Sequence, residues 1–471
     1  MFPSSAGRCR RGGTPLWHQR TSTPRAGRGC GIAESQSIRL VNMGKVVTGK
    51  TPPQDHPEYW GEALPFLTPS DFDGARSVRE VGRRLSAAGE RAMSKAIVPY
   101  GVAVSCIGWQ MGQTVLVSER TLTNQQINTV IYDKQTVDGQ FLYYSLRTRR
   151  EELFRLGSGG SRTPILKKSL FEQLEVCLPP LPEQRAIAAV LGALDDKIEA
   201  NRKTARVLEG IARAIFTSWF VDFDPVRRPD SIKLPAPLAA LFPKRLVDSP
   251  LGEVPERWRV GTLGDMLTVL ETGGRPKGGV KDITHGVPSV GAESITRLGE
   301  FDYSKTKYVP HEFFDSMTRG HVQPGDVLLY KDGGRPGEFE PHVTMVGDGF
   351  PFPTFCINEH VYRLRVREPM SQAYLYFWLT SEMVMEEMRQ RGTGVAIPGL
   401  NSTAARAVTL LIPDEPALRA FNTVITPAVN RVFCACNQSR TLAALRDALL
   451  PKLVSGELRI ADAEKIVGRA V

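Results

Sequence analysis

Between Pro180 and Phe220, apolar or small residues recur at Ile187, Leu191, Leu194, Ile198, Ala205, Leu208, Ala212, Ile215 and Trp219. The spacings alternate four and three except where polar Asn201 takes one turn of the series. That period is a coiled-coil seam. Pro182 suits a first helical position and Asp222 to Pro225 a stop, so the pattern predicts a helix of about 38 residues, roughly 57 Å long, within the segment 182–222. A helix with such a seam needs a partner.

Before it, residues 38–181 read as short β runs broken by Pro, Gly and Asp: SIRLVNM, KVV, LPFLTPSDF, KAIVPYGVAVSCIG, QTVLVS and QQINTVIYD. With a helical stretch such as FLYYSLRTRREELFRL, they predict a compact, mostly β domain. After the helix, residues 223–257 carry seven prolines and read as a connection. From Trp258 the pattern starts again.

The restart is a repeat. Gly49-Lys50-Thr51-Pro52 matches Gly273-Gly274-Arg275-Pro276 at an offset of 224, as Gly101 matches Gly325. After an insertion of about ten residues the offset is 234, which holds for Asn124 with Asn358, Gly160 with Gly394, Pro164 with Pro398, Pro182 with Pro416 and Leu208 with Leu442. The same shift carries the seam onto Phe421, Ile425, Ala428, Val432, Ala435, Ser439, Leu442, Arg446, Leu449 and Leu453. A second domain over 258–412 and a second helix within 413–458 follow, with Gly456 as its C-cap and 459–471 as a tail. Pro427 is expected to kink the second helix, and Arg446 occupies a position that should be apolar. Asn201 either fixes the register of the pair or is solvated at a loose crossing.

Composition adds less. At 471 residues the chain is long enough for about three domains. It has no apolar run long enough to span a membrane. Its seven cysteines form no CxxC pair or disulfide framework, which favours a reducing cytoplasm and argues against structural zinc. Part of the net charge of +10 lies in residues 1–37, an Arg-rich leader expected to be disordered or to follow from a start assigned too far upstream. Without its six arginines and one glutamate the charge is about +5, mildly basic.

Two similar β domains, each followed by a long helix, resemble the DNA-specificity subunit of type I restriction-modification enzymes. The resemblance rests on GKTPP at Gly49, LPFLTPSDF at Leu64, TNQQI at Thr123, the run LPPLPEQRAIAAVLGALDDKIEANRK from Leu178, and LAALRDALLPKLVSGEL ending at Leu458. It implies an α+β chain with two target-recognition domains in tandem, whose helices pack as an antiparallel coiled coil. Each domain would read half of a split sequence in double-stranded DNA, with the helices as a rigid spacer. The helices, through Ile187, Leu191, Leu194, Ile198, Asn201, Leu208, Ile215, Phe421, Ile425, Val432, Leu442 and Leu449, would serve the seam and the docking of two methyltransferase subunits, and through them restriction and translocase subunits. The chain itself would be non-catalytic and hold no cofactor. S-adenosylmethionine, ATP and Mg would enter through the partners.

Base reading requires side chains that reach base edges, with Arg or Lys for guanine and Asn or Gln for adenine. The Gly-bearing loops offer Lys50, Thr51, Trp109, Gln110, Gln113 and Arg162 in the first copy, and Arg275, Lys277, Lys331 and Arg335 with Gly392 to Gly394 in the second. Ordinary polar turns are the competing reading of each.

Gly44 to Thr51 has the spacing of a phosphate-binding loop, but Pro52 and Pro53 forbid the helix which that mechanism needs. No Asn/Asp-Pro-Pro-aromatic motif for amine methylation occurs, nor HExxH or GxSxG. The rivals are a coiled-coil interaction scaffold without DNA contact and a DNA methyltransferase fused to its own reader.

Overall fold

The computed structural model describes residues 35–78, 80–158, 163–294, 296–335, 337–394 and 398–470. The chain forms two compact units. One holds the described residues up to Val190 together with Leu449–Lys465, and the other holds Leu191–Ala448 with the residues from Ile466.

In the first unit, Gln36–Arg39 pairs antiparallel with Glu175–Leu178, opposing Ile38 to Val176. The sequence pattern suggested strand through Val41, but Leu40–Met43 is a helical turn. Leu40 and Met43, three residues apart, are both buried while Val41 is exposed, which is the period of a helix. A four-stranded antiparallel sheet follows, in the order Gly44–Thr48, Ile127–Tyr132, Gly101–Ser105, Thr114–Val117. A second sheet includes one parallel pair, in which Leu67 opposes Thr123. The predicted helical stretch is two helices, Gly139–Arg147 and Arg150–Gly157, the first capped by the Asp138 carboxylate accepting from the Phe141 amide.

The second unit repeats this plan. Arg259–Thr262 pairs with Thr409–Ile412, opposing Gly261 to Leu410. Its four-stranded sheet runs Leu267–Thr272, Val361–Val366, Val327–Tyr330, Val343–Met345, and its parallel pair opposes Val290 to Ile357. The duplication is thus written in the registers. Thr48 faces Asn128 in one unit and Thr272 faces Tyr362 in the other, positions shifted by 224 and 234 residues.

The Pro-rich segment 223–257 carries short helices, Asp224–Arg227, Pro229–Ile232 and Ala236–Ala239, and a hairpin of Leu246–Ser249 with Gly252–Pro255. Phe223, Phe242 and Val254 are buried against Trp219 and Trp258, so this connection is packed onto the second unit's core. At the other end of the chain, Ile460–Val467 is helical, with Ala463 and Val467 buried.

The long helices are Leu181–Phe220 and Glu415–Val454, each 40 residues and offset by 234. Within the second unit their antiparallel course is fixed by three crossings. Phe216 packs against Phe421 with ring centroids 5.8 Å apart, Asn201 Nδ2 donates to Gln438 Oε1 at 2.9 Å, and Arg446 Nη1 donates to Asp195. As numbers rise on one helix they fall on the other. Of the predicted seam, Ile187, Leu191, Leu194, Ile198, Asn201, Phe421, Ile425, Val432, Leu442 and Leu449 are buried. Leu208 and Ile215 are only partly so, and Phe216 takes the inward place beside Ile215.

Asn201 is paired rather than solvated, and Arg446 is buried with a carboxylate partner. Pro427 does not interrupt the helix. Its ring lies on the exposed side, where water can serve the carbonyl it frees. Gly456 stops the helix with φ +76°, a conformation glycine adopts without the Cβ penalty. Cys106, Cys356, Cys434 and Cys436 are free thiols, whereas Cys177 is disulfide-bonded, a pairing that the spacing of the cysteines did not suggest. Among the described residues, no helix is long and apolar enough to cross a membrane.

Candidate nucleic-acid interface

In the first unit, the strands Gly44–Thr48 and Gly101–Ser105 end, and Ile127–Tyr132 begins, at the same edge of the four-stranded sheet. Three segments are joined there by main-chain hydrogen bonds. The Lys50 amide donates to the Thr123 carbonyl at 2.8 Å, the Cys106 amide to Gln126 at 2.7 Å, and the Leu166 amide to Cys106 at 2.8 Å. Gly49 makes the approach possible, since a Cβ there would lie 2.2 Å from the Thr123 and Asn124 carbonyl oxygens.

The second unit joins the corresponding three segments, with two of the three hydrogen bonds on matched residues. The Gly273 amide donates to Asn358 at 3.1 Å, Lys331 to His360 at 2.9 Å, and Leu400 to Lys331 at 2.7 Å. Asn124 and Asn358 have one job, each accepting the amide two residues on, of Gln126 and His360. They are turn-forming residues, as an Asn beside a strand usually is. The loop pairing extends further. Gly108 donates to the Pro164 carbonyl and Gly333 to Pro398, at 2.9 and 2.8 Å. The CIGWQMGQ and YKDGGRPGE loops are therefore structural counterparts, with Trp109 answering to Gly334 and Gln110 to Arg335. Nothing in their side chains announces this.

The candidate side chains fall differently. Lys50 is exposed, and the Thr51 hydroxyl donates to the exposed Gln125 carboxamide. Trp109 and Gln110 stand outward at the loop tip. Gln113 turns inward, with its Oε1 buried, which suits it poorly to base contact. Arg162 lies outside the described residues. In the second unit, Arg275 and Lys331 are brought to opposite ends of one polar chain. Arg275 Nε lies 3.1 Å from Glu359, His360 bridges Glu359 and Asp332 at 3.3 and 2.6 Å, and Lys331 Nζ lies 3.5 Å from Asp332. These carboxylates hold both cations in place and partly neutralise them, so a phosphate or base acceptor has to compete for each. Lys277 and Arg335 are exposed, the latter in a hairpin of Gly334–Arg335 with Glu338–Phe339. Phe339 packs on Gly392, where a Cβ would meet it at 2.4 Å, so the Gly392 to Gly394 loop and the hairpin form one surface.

Sequence reasoning missed Gln125, Asp332, Glu359 and His360. A signal existed for three of them, since Gln125 and Glu359 follow the repeated Asn124 and Asn358 at the constant offset and His360 comes next. The phosphate-loop spacing at Gly44 to Thr51 is coincidental. Thr48 ends a strand, and residues 49–56 hold no helix. Among the described residues, no group of three or more His, Cys, Asp or Glu is placed to hold a metal ion.

Three comparisons bear on this architecture. The family described as "Type I restriction modification DNA specificity domain" matches residues 33–209. The type I restriction enzyme MjaIX specificity subunit of Methanocaldococcus jannaschii is 26% identical over 441 residues, covering 90% of this chain and 93% of that protein. The HindI specificity subunit of Haemophilus influenzae is 30% identical over 173 residues, covering 35% and 37%. In fold, the crystal structure of a type I restriction-modification S subunit from M. genitalium aligns over 89% of this chain and 96% of its own with a TM-score of 0.50 at 14% identity.

Proposed function

We propose that this chain acts as a type I restriction-modification DNA-specificity subunit, like the proteins it resembles, and reads a bipartite duplex target, one half with each β-rich unit. It is a recognition subunit and not a catalyst. The observation that carries the bipartite reading is the three-segment junction at the sheet edge, built twice, with two of its three main-chain hydrogen bonds on matched residues and with different side chains. A conserved backbone frame with variable tips suits two readers of unlike half-sites, because phosphate contacts position and base contacts specify.

In this reading the domains run 38–181 and 258–412, and the paired helices set the spacing of the half-sites. Since the seam residues are occupied with one another, two methyltransferase subunits dock on other helix faces and bring restriction and translocase subunits with them. Those partners supply S-adenosylmethionine, ATP and Mg, and the complex works on DNA in the cytoplasm. Lys50, Lys277, Lys331, Arg275 and Arg335 contact phosphate or guanine, and Thr51, Gln110 and Trp109 complete the surface.

Selection of duplexes from a randomised pool by the full chain, followed by titration at 50 to 200 mM salt, tests the proposal. A reader retains one split sequence, and its affinity falls steeply with salt as counterions are released. A protein-interaction scaffold retains none. The full chain free of partners transfers no methyl group, which separates it from a methyltransferase fused to a reader.

A further inference from the structure

Trp109 is the most exposed large hydrophobic side chain among the described residues, at 78%, with Val207 next at 52%. Most of the indole is left in water and forgoes the stabilisation that burial of its apolar surface would give. Its backbone is held on all sides. Gly108 and Gly112 have φ of +76° and +81°, the Gly108 amide is tied to Pro164 at 2.9 Å, and the Met111 amide returns to Gly108 at 3.1 Å. Met111 is wholly buried beneath the tip, and Arg150 Nη2 donates to the Trp109 carbonyl at 3.4 Å. One flank of the indole rests on Phe154, with ring centroids 5.8 Å apart and planes 30° from parallel. The remainder of the ring is open. In the second unit the matching position is Gly334, followed by Arg335.

A planar ring braced on one side and free on the other, at the tip of a fixed loop, is arranged to continue a stack. Base–aromatic stacking needs no hydrogen-bond complement, and unstacking is easiest at pyrimidine–purine steps. We propose that Trp109 is a specificity-determining residue of the first unit, which stacks on a base at a deformable step of its half-site, while the second unit, with Gly334 and Arg335 there, makes no such contact. This rests on the DNA-reading proposal and adds a mode of recognition to it.

The test uses the full chain and the duplex that it selects from a randomised pool, with 2-aminopurine placed in turn at each position. Wild type is expected to change the fluorescence at one step, confined to one half-site. Trp109→Ala and Trp109→Leu are each expected to abolish that change and weaken binding about tenfold, while Trp109→Phe keeps most of both. Thermal melting of all three variants should match wild type, because the side chain is outside the core. Leu restoring the affinity, or Ala leaving affinity and selected sequence unchanged, would overturn the stacking role. A wild-type chain that selects no duplex would instead overturn the DNA-reading proposal beneath it.

Discussion

Arg446 of the second long helix donates to Asp195 of the first, 251 residues earlier in the chain. Both side chains are less than a tenth exposed. Burial opposes the guanidinium charge, yet the carboxylates of Asp195 and Asp447 hold its pKa above the usual arginine range. Together with Asn201 and Gln438, this pair gives the seam two polar crossings that match in only one register.

Removing one partner leaves the other charged and buried. Arg446→Ala is expected to destabilise the helix pair by about 3–5 kcal/mol, whereas joint replacement by Arg446→Met and Asp195→Leu recovers most of the loss. Far-UV circular dichroism melting checks this. A single substitution without cost would show that the pair contributes nothing to the seam.

Gly49 and Gly273 mark the same close approach in the two units. A Cβ at Gly273 would lie 1.6 Å from the Ile357 carbonyl oxygen, even tighter than at Gly49. Gly49→Ala and Gly273→Ala are each expected to cost about 1–3 kcal/mol, because the obstacle is backbone. Gly210, inside the first long helix with open space around it, is the control. There alanine is expected to stabilise by about 0.5–1 kcal/mol. Hydrogen exchange should locate the first effect in Ile127–Tyr132 and the second in Val361–Val366.

Burial raises the pKa of Glu293, but its hydrogen bond from Lys307 and the charges of Lys307 and Arg275 outweigh that, so it ends below the ordinary value of 4.5. A carboxylate depressed in the folded state contributes stability above its unfolded pKa and loses it as pH falls through the folded value. Both side chains are partly exposed, which limits the effect to less than about 1 kcal/mol. The gap in urea midpoint between wild type and Glu293→Gln is therefore expected at pH 7 and should close as pH falls below 4.5 and through the lowered folded value. An equal gap at both would deny the ion pair its role.

The long helices were legible because a seam with spacings of four and three is a local signal, and the repeat because prolines, glycines and Asn124 recur at a constant shift. Other features depended on contacts distant in sequence. Arg446 looked like a fault in the seam until Asp195 stood opposite it. The turn at Leu40–Met43 read as strand because SIRLVNM alternates well enough, and only the burial of Leu40 and Met43 on one side reveals the helical period. The correspondence of Trp109 with Gly334 was hidden because backbone hydrogen bonds carry it and side chains do not. Candidate loops could thus be found from glycines, whereas the inward turn of Gln113 and the carboxylate restraint of Arg275 and Lys331 could not.

The central claim is that one chain holds two independent readers. Its most direct test is duplex selection by wild type, by a hybrid whose residues 258–412 come from a related chain, and by Lys277→Ala/Arg335→Ala, which leaves the core untouched. The account predicts two sequence blocks at a fixed spacing, with both alterations changing one block and sparing the other. A single undivided block for wild type, or changes in both blocks, would contradict it.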